Sequence, residues 1–117
     1  MLFVCYPKCT TCQKAQRWLD GQGQAYELRN IKLDNPSEDE LRSWHRRSGL
    51  PLKRFFNTSG LQYKALGLKD RLPDMTEDEQ YALLATDGML VKRPILVTDD
   101  AVIPGFREAD WAAALNK

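Results

Sequence analysis

Cys9 and Cys12 stand three residues apart in YPKCTTCQKAQRWL, a spacing at which one helical turn brings two thiols within reach of each other. Such a pair has three uses: dithiol–disulfide redox chemistry, half of a tetrahedral metal site, or two small side chains in a core. Zinc needs further soft ligands, and the sequence offers only Cys5 and His45, neither of them in a second pair at ligand spacing. Metal therefore ranks last, a coincidental buried pair second and redox chemistry first. In the redox reading Cys9 is the attacking thiol, because it stands at or just before a helix start. Unpaired N–H groups and the positive end of the helix dipole favour a thiolate there. Lys8 and Lys14 add nearby positive charge, and the hydroxyls of Thr10 and Thr11 are candidate donors to sulfur. Cys12, one turn deeper, is the candidate resolving thiol.

A second cluster lies in LVKRPILV. Pro94, directly before a strand, is a candidate for a cis bond with Arg93, which would orient backbone groups toward a substrate; the plainer alternative is a strand-start proline beside a surface arginine. Arg107, after Gly105-Phe106, is a solvated charge unless it converges on Cys9. Convergence would make an oxyanion site, since guanidinium forks match tetrahedral oxyanions and stabilise a thiolate. Cys5, inside an apolar run, reads as a small buried hydrophobe. His45, beside Arg46 and Arg47, reads as a solvated surface residue.

The elements that must position these residues follow from patterning. The run from Leu2 to Tyr6 is β-rich and stopped by Pro7, and residues 10–21 have helical periodicity closed by Gly21-Gln22-Gly23. Residues 25–31 alternate as a second strand. Ser37 and Glu40 form a capping-box spacing that opens a helix to about Ser48. Helix and turn signals fill the stretch from Pro51 to Met89: residues 52–56, 61–66 and 76–86, the last with Thr76 and Glu79 at capping-box spacing. Residues 95–98 and 101–103 make a hairpin around Asp99-Asp100, and residues 108–115 a final helix. The order β-α-β, helices, β-β-α is that of a thioredoxin-like α/β fold with a helical insertion.

Length and composition set limits on function. At 117 residues, 43% hydrophobic and 28% charged, the chain is expected to be one domain with a packed core, its helical insertion spanning about residues 36–92. Seventeen basic against 16 acidic residues leave no global field for nucleic acid or an anionic membrane, so direct binding to either is not expected. There is no apolar run near the roughly 18 residues of a membrane span. Three cysteines do not make a secreted disulfide framework, and the expected compartment is cytoplasmic.

Taken together, YPKCTTCQKAQRWL, SGLPLKRFFNTSG, YKALGLKDRLPDM, DGMLVKRPILV and PGFRE resemble the ArsC/Spx/YffB family over essentially the whole chain. The resemblance implies a four-stranded mixed sheet with an inserted helical subdomain, Cys9 as the reactive cysteine and a cis proline at Pro94. It matches Arg93 and Arg107 to arginines that bind oxyanion and stabilise the thiolate in glutathione-dependent arsenate reductases. Two departures stand out: Asn57 occupies the position of a further family arginine, and Cys12 stands where those reductases usually have a small hydroxyl residue. The implied function is a thiol-dependent oxidoreductase acting on a small oxyanion or a thiol or disulfide substrate. It would hold no tightly bound cofactor or metal and be reduced by glutathione with glutaredoxin, or by thioredoxin. The two-cysteine motif also resembles the Spx branch, which implies the alternative of a redox-switched regulator binding the RNA polymerase α-subunit.

Overall fold

In the computed structural model the residues described are 1–115. The strands are β1 (Leu2–Cys5), β2 (Glu27–Asn30), β3 (Ile95–Val97) and β4 (Val102–Pro104). The helices are α1 (Thr10–Gly21), α2 (Glu38–Ser48), α3 (Leu61–Ala65), α4 (Leu68–Arg71), α5 (Glu77–Thr86) and α6 (Glu108–Leu115). The sheet order is β2-β1-β3-β4: β1 and β2 are parallel across the α1 crossover, while β1–β3 and β3–β4 are antiparallel. This is the mixed four-stranded thioredoxin-like sheet, with a helical segment between β2 and β3.

The sheet separates two apolar clusters, because successive strand side chains point to opposite faces. Val4 and Ile95 face Leu41, Trp44, Phe55 and Leu84 of the helical segment. Phe3, Cys5 and Leu96 face Ala15 and Leu19 of α1 and Trp111 of α6. Trp111 is fully buried, and its indole N–H donates to the Gly105 carbonyl at 3.0 Å, which removes the cost of burying that donor. Cys12 projects from α1 into the second cluster and is 2% exposed.

Both expected capping boxes form. Ser37 accepts from the Glu40 N–H and Thr76 from the Glu79 N–H, and each glutamate returns a bond to the cap backbone. The helical segment is tied to the sheet where Gly88 meets the end of β2: a Cβ at position 88 would lie 1.8 Å from the Ile31 carbonyl oxygen, so only glycine permits this approach.

Several expectations change. The second strand is shorter than residues 25–31, and residues 52–55 form a 3-10 turn. α4 is a helix that the patterning does not announce, because four residues are too few to show helical periodicity and Gly67 directly before it reads as a stop. His45 is not a solvated surface residue. Its ring packs against Phe55 and Tyr81, and its Nδ1 is 2.6 Å from the Tyr81 hydroxyl, because α2 lies against α5. No helix among the described residues is long and apolar enough to cross a membrane.

Candidate active site

Cys9 is the N-cap residue of α1, with extended backbone angles, and its N–H donates to the Tyr6 carbonyl at 3.0 Å. The tight turn at Pro7-Lys8 thus places the sulfur at the mouth of the first helical turn, where the N–H groups have no helical partners. No side chain caps this end. Partial burial pushes the Cys9 pKa up, but the backbone N–H and thiol of Cys12 and the guanidinium of Arg93 all favour the thiolate. The result is a pKa below the ordinary thiol value.

The other two cysteines are shifted the opposite way. Burial pushes Cys12 up to about 12; the Tyr6 N–H, 3.4 Å from its sulfur, opposes this, and the nearby Cys9 thiolate adds to the rise. Cys5 is likewise raised by burial and then by Cys9. All three are free thiols. The pair is therefore asymmetric, with a partly exposed thiol whose pKa is lowered and a buried thiol whose pKa is raised in the same turn.

Cys9 opens into a cleft of about 1030 Å³. Arg93 stands beside it, its guanidinium 5.2 Å from the Tyr6 ring centroid and 3.4 Å from the Met89 carbonyl. The Arg93–Pro94 peptide is cis; Pro94 is buried and its carbonyl accepts from the Gly105 N–H at 2.7 Å. That bond places Phe106 and Arg107 on the cleft wall, just before α6. Asn57 and Thr11 also line the cleft. Lys8 and Thr10 are exposed and stand outside its lining.

Sequence reasoning left two cleft cations unassigned, Arg54 and Lys92. A signal for Lys92 was present in the consecutive basic residues of VKRP. For Arg54 there was none beyond its closeness to Asn57, because the pairing of its segment with residues 90–92 is a tertiary contact. Among the described residues, no group of three or more His, Cys, Asp or Glu side chains is arranged to hold a metal ion.

The ArsC family model matches residues 5–114. The chain belongs to the ArsC family. Within it, an ArsC-family-related protein from Bacteroides fragilis superposes with a TM-score of 0.94 at 54% identity, covering 96% of this chain and 94% of that one. A Streptococcus mutans protein described as a possible arsenate reductase gives 0.87 at 46% identity, covering 95% and 96%. The uncharacterized protein YusI of Bacillus subtilis is 48% identical over 96% of this chain and 98% of its own length. More distant ArsC-family similarity reaches the global transcriptional regulator Spx of Staphylococcus epidermidis, 27% identical over 87% of this chain and 76% of that protein.

Proposed function

We propose that this protein is a thiol-dependent oxidoreductase in which Cys9 is the nucleophile. The observation that carries the reading is the stabilised Cys9 thiolate, beside Arg93 at the helix N-terminus and open to a cationic cleft. With a disulfide substrate, the thiolate attacks one sulfur; a Cys9–S bond forms, the substrate S–S bond breaks, and the second sulfur leaves as a thiolate. Cys12 or an external thiol then attacks Cys9, releasing the other half of the substrate as thiolate. With arsenate, Cys9 forms an S–As bond as water leaves. A second thiol then attacks Cys9 sulfur, and the S–As electron pair stays on arsenic, taking it from As(V) to As(III). In either case two thiols are oxidised to a disulfide, and glutathione with glutaredoxin, or thioredoxin, restores them.

Arg93 and Arg107, both on the cleft wall, support oxyanion binding, while neutral Asn57 at the position of a family arginine weakens the case for arsenate. The raised pKa of Cys12, owed first to burial and only then to Cys9, makes it a slow resolving thiol, and adduct formation at Cys9 removes the smaller part of that rise. The test is NADPH oxidation coupled to glutathione and glutaredoxin, with arsenate and separately with a model disulfide, in wild type and Cys9→Ser. Turnover lost in the variant is expected; turnover retained would sink the reading. Similarity to Spx and the paired cysteines favour a second reading, a redox-switched regulator. In that case neither substrate turns over, and a complex with the RNA polymerase α-subunit forms in one redox state only.

A further inference from the structure

Arg54, Lys92, Arg93 and Arg107 all line the Cys9 cleft, against a single carboxylate among the described residues, Asp110. Among the described residues, none of these five side chains is in an ion pair. The backbone holds three of the cations together. Phe56 and Val91 form an antiparallel bridge, the Lys92 N–H donates to the Phe55 carbonyl at 2.8 Å, and the Asn57 N–H donates to the Leu90 carbonyl at 2.8 Å. Arg54 is thereby brought alongside Lys92 and Arg93.

Arg93 is already engaged with Cys9, the Met89 carbonyl and the Tyr6 ring. Lys92 is differently placed. Its Cε would lie 3.2 Å from a Cβ at position 105, so its stem runs over Gly105, which has φ +82° and only a hydrogen in that space. Like charges gathered on one wall repel each other, and an anion among them converts that repulsion into attraction. Position 57 brings no charge, and the Asn57 carboxamide oxygen accepts from Ser59 Oγ at 3.4 Å.

The cleft also has room for more than a bare tetrahedral oxyanion. Its volume of about 1030 Å³ suits a ligand of many heavy atoms, and Leu61, Met89 and Phe106 offer apolar wall between the cations. We propose that Arg54 and Lys92 are specificity-determining residues that select, for attack by Cys9, an organic disulfide carrying carboxylates set apart from its sulfurs. This rests on the thiol-oxidoreductase reading and divides the labour of the cleft: Arg93 acts on the thiolate, Arg54 and Lys92 on the substrate. The step is one exchange. The Cys9–S bond forms, the substrate S–S bond breaks, and the carboxylate-bearing fragment departs as a thiolate with the electron pair of that bond.

The experiment measures single-turnover reaction of the full-length reduced protein with 3,3′-dithiodipropionate, an anionic disulfide, and with 2-hydroxyethyl disulfide, a neutral one. In Arg54→Gln/Lys92→Gln the ratio of anionic to neutral rates is expected to fall about tenfold, on the order of two partly screened charge contacts. Arg54→Lys/Lys92→Arg is expected to keep the wild-type ratio, which separates charge from folding. An unchanged ratio in the glutamine variant, or equal loss with both disulfides, would overturn the proposal. Alkylation of Cys9 by iodoacetate relative to iodoacetamide gives a readout independent of disulfide chemistry. If neither disulfide reacts but this ratio falls in the glutamine variant, charge selection stands and the oxidoreductase reading fails; if it does not fall, the selection itself is overturned.

Discussion

Arg93 touches both the chemistry of Cys9 and the shape of the cleft. Against the opposing effect of burial, the Cys9 pKa is lowered first by the backbone N–H and thiol of Cys12 and then by the guanidinium of Arg93. Replacing it by methionine keeps much of the stem over Tyr6 and removes the charge. The midpoint of the pH profile for iodoacetamide alkylation is then expected to rise. The sign sets where the effect is seen. A depressed folded pKa means wild type carries thiolate at pH values where the variant is protonated, so the variant is slower near neutrality and the two rates converge above the ordinary thiol pKa. A midpoint that does not move would assign the depression to the helix end and Cys12 alone. The same depression makes Cys9 a source of stability that is present above its unfolded pKa and is lost as pH falls through the folded value.

At the scale of elements, the local signals were legible and their tertiary uses were not. Ser37 with Glu40 announces the start of α2, because a capping box is written in four consecutive residues. The same glutamate also binds Arg29 of β2 at 2.5 and 2.9 Å, and nothing in the sequence joins residues 29 and 40. Arg29, foremost, together with the Ser37 cap bonds, holds the Glu40 carboxyl below its usual range. Glu40→Ala therefore removes a cap bond and an ion pair at once, with an expected loss of about 1–2 kcal/mol in urea unfolding at pH 7. A depressed carboxylate pKa stabilises above the unfolded value and loses that contribution as pH falls through the folded one, so the difference between wild type and variant should shrink in acid. A difference that is constant from pH 7 to pH 3 would show that the loss is not electrostatic. The limit on reading is the same for His45, whose neighbours Arg46 and Arg47 look like a solvated face while its ring packs on Phe55 and Tyr81. Likewise the Cys9–Cys12 spacing and the Arg93–Pro94 pair were visible as local motifs, whereas the contribution of Arg54 depends on the bridge between Phe56 and Val91.

Over the whole molecule, charge is nearly balanced while the cleft is not. The formal net charge is +1, yet among the described residues the cleft lining holds four cations and one carboxylate. Overall composition therefore hides the feature that governs encounter: the field seen by a substrate near Cys9 is set by the cleft, and that of the whole protein at long range is close to neutral. The two scales respond differently to salt. The Debye length is about 30 Å at 0.01 M and about 10 Å at 0.1 M, so attraction that acts only within the cleft is weakened moderately, while a long-range field would be nearly abolished. Raising sodium chloride from 0.01 to 0.2 M is accordingly expected to slow the reaction of Cys9 with 3,3′-dithiodipropionate about threefold and to leave 2-hydroxyethyl disulfide within experimental error. Stopped-flow measurement of thiol loss at each salt concentration checks both rates. A loss of a hundredfold would mean that steering begins well outside the cleft, and parallel slowing of both disulfides would mean that salt acts on the Cys9 thiolate rather than on the substrate.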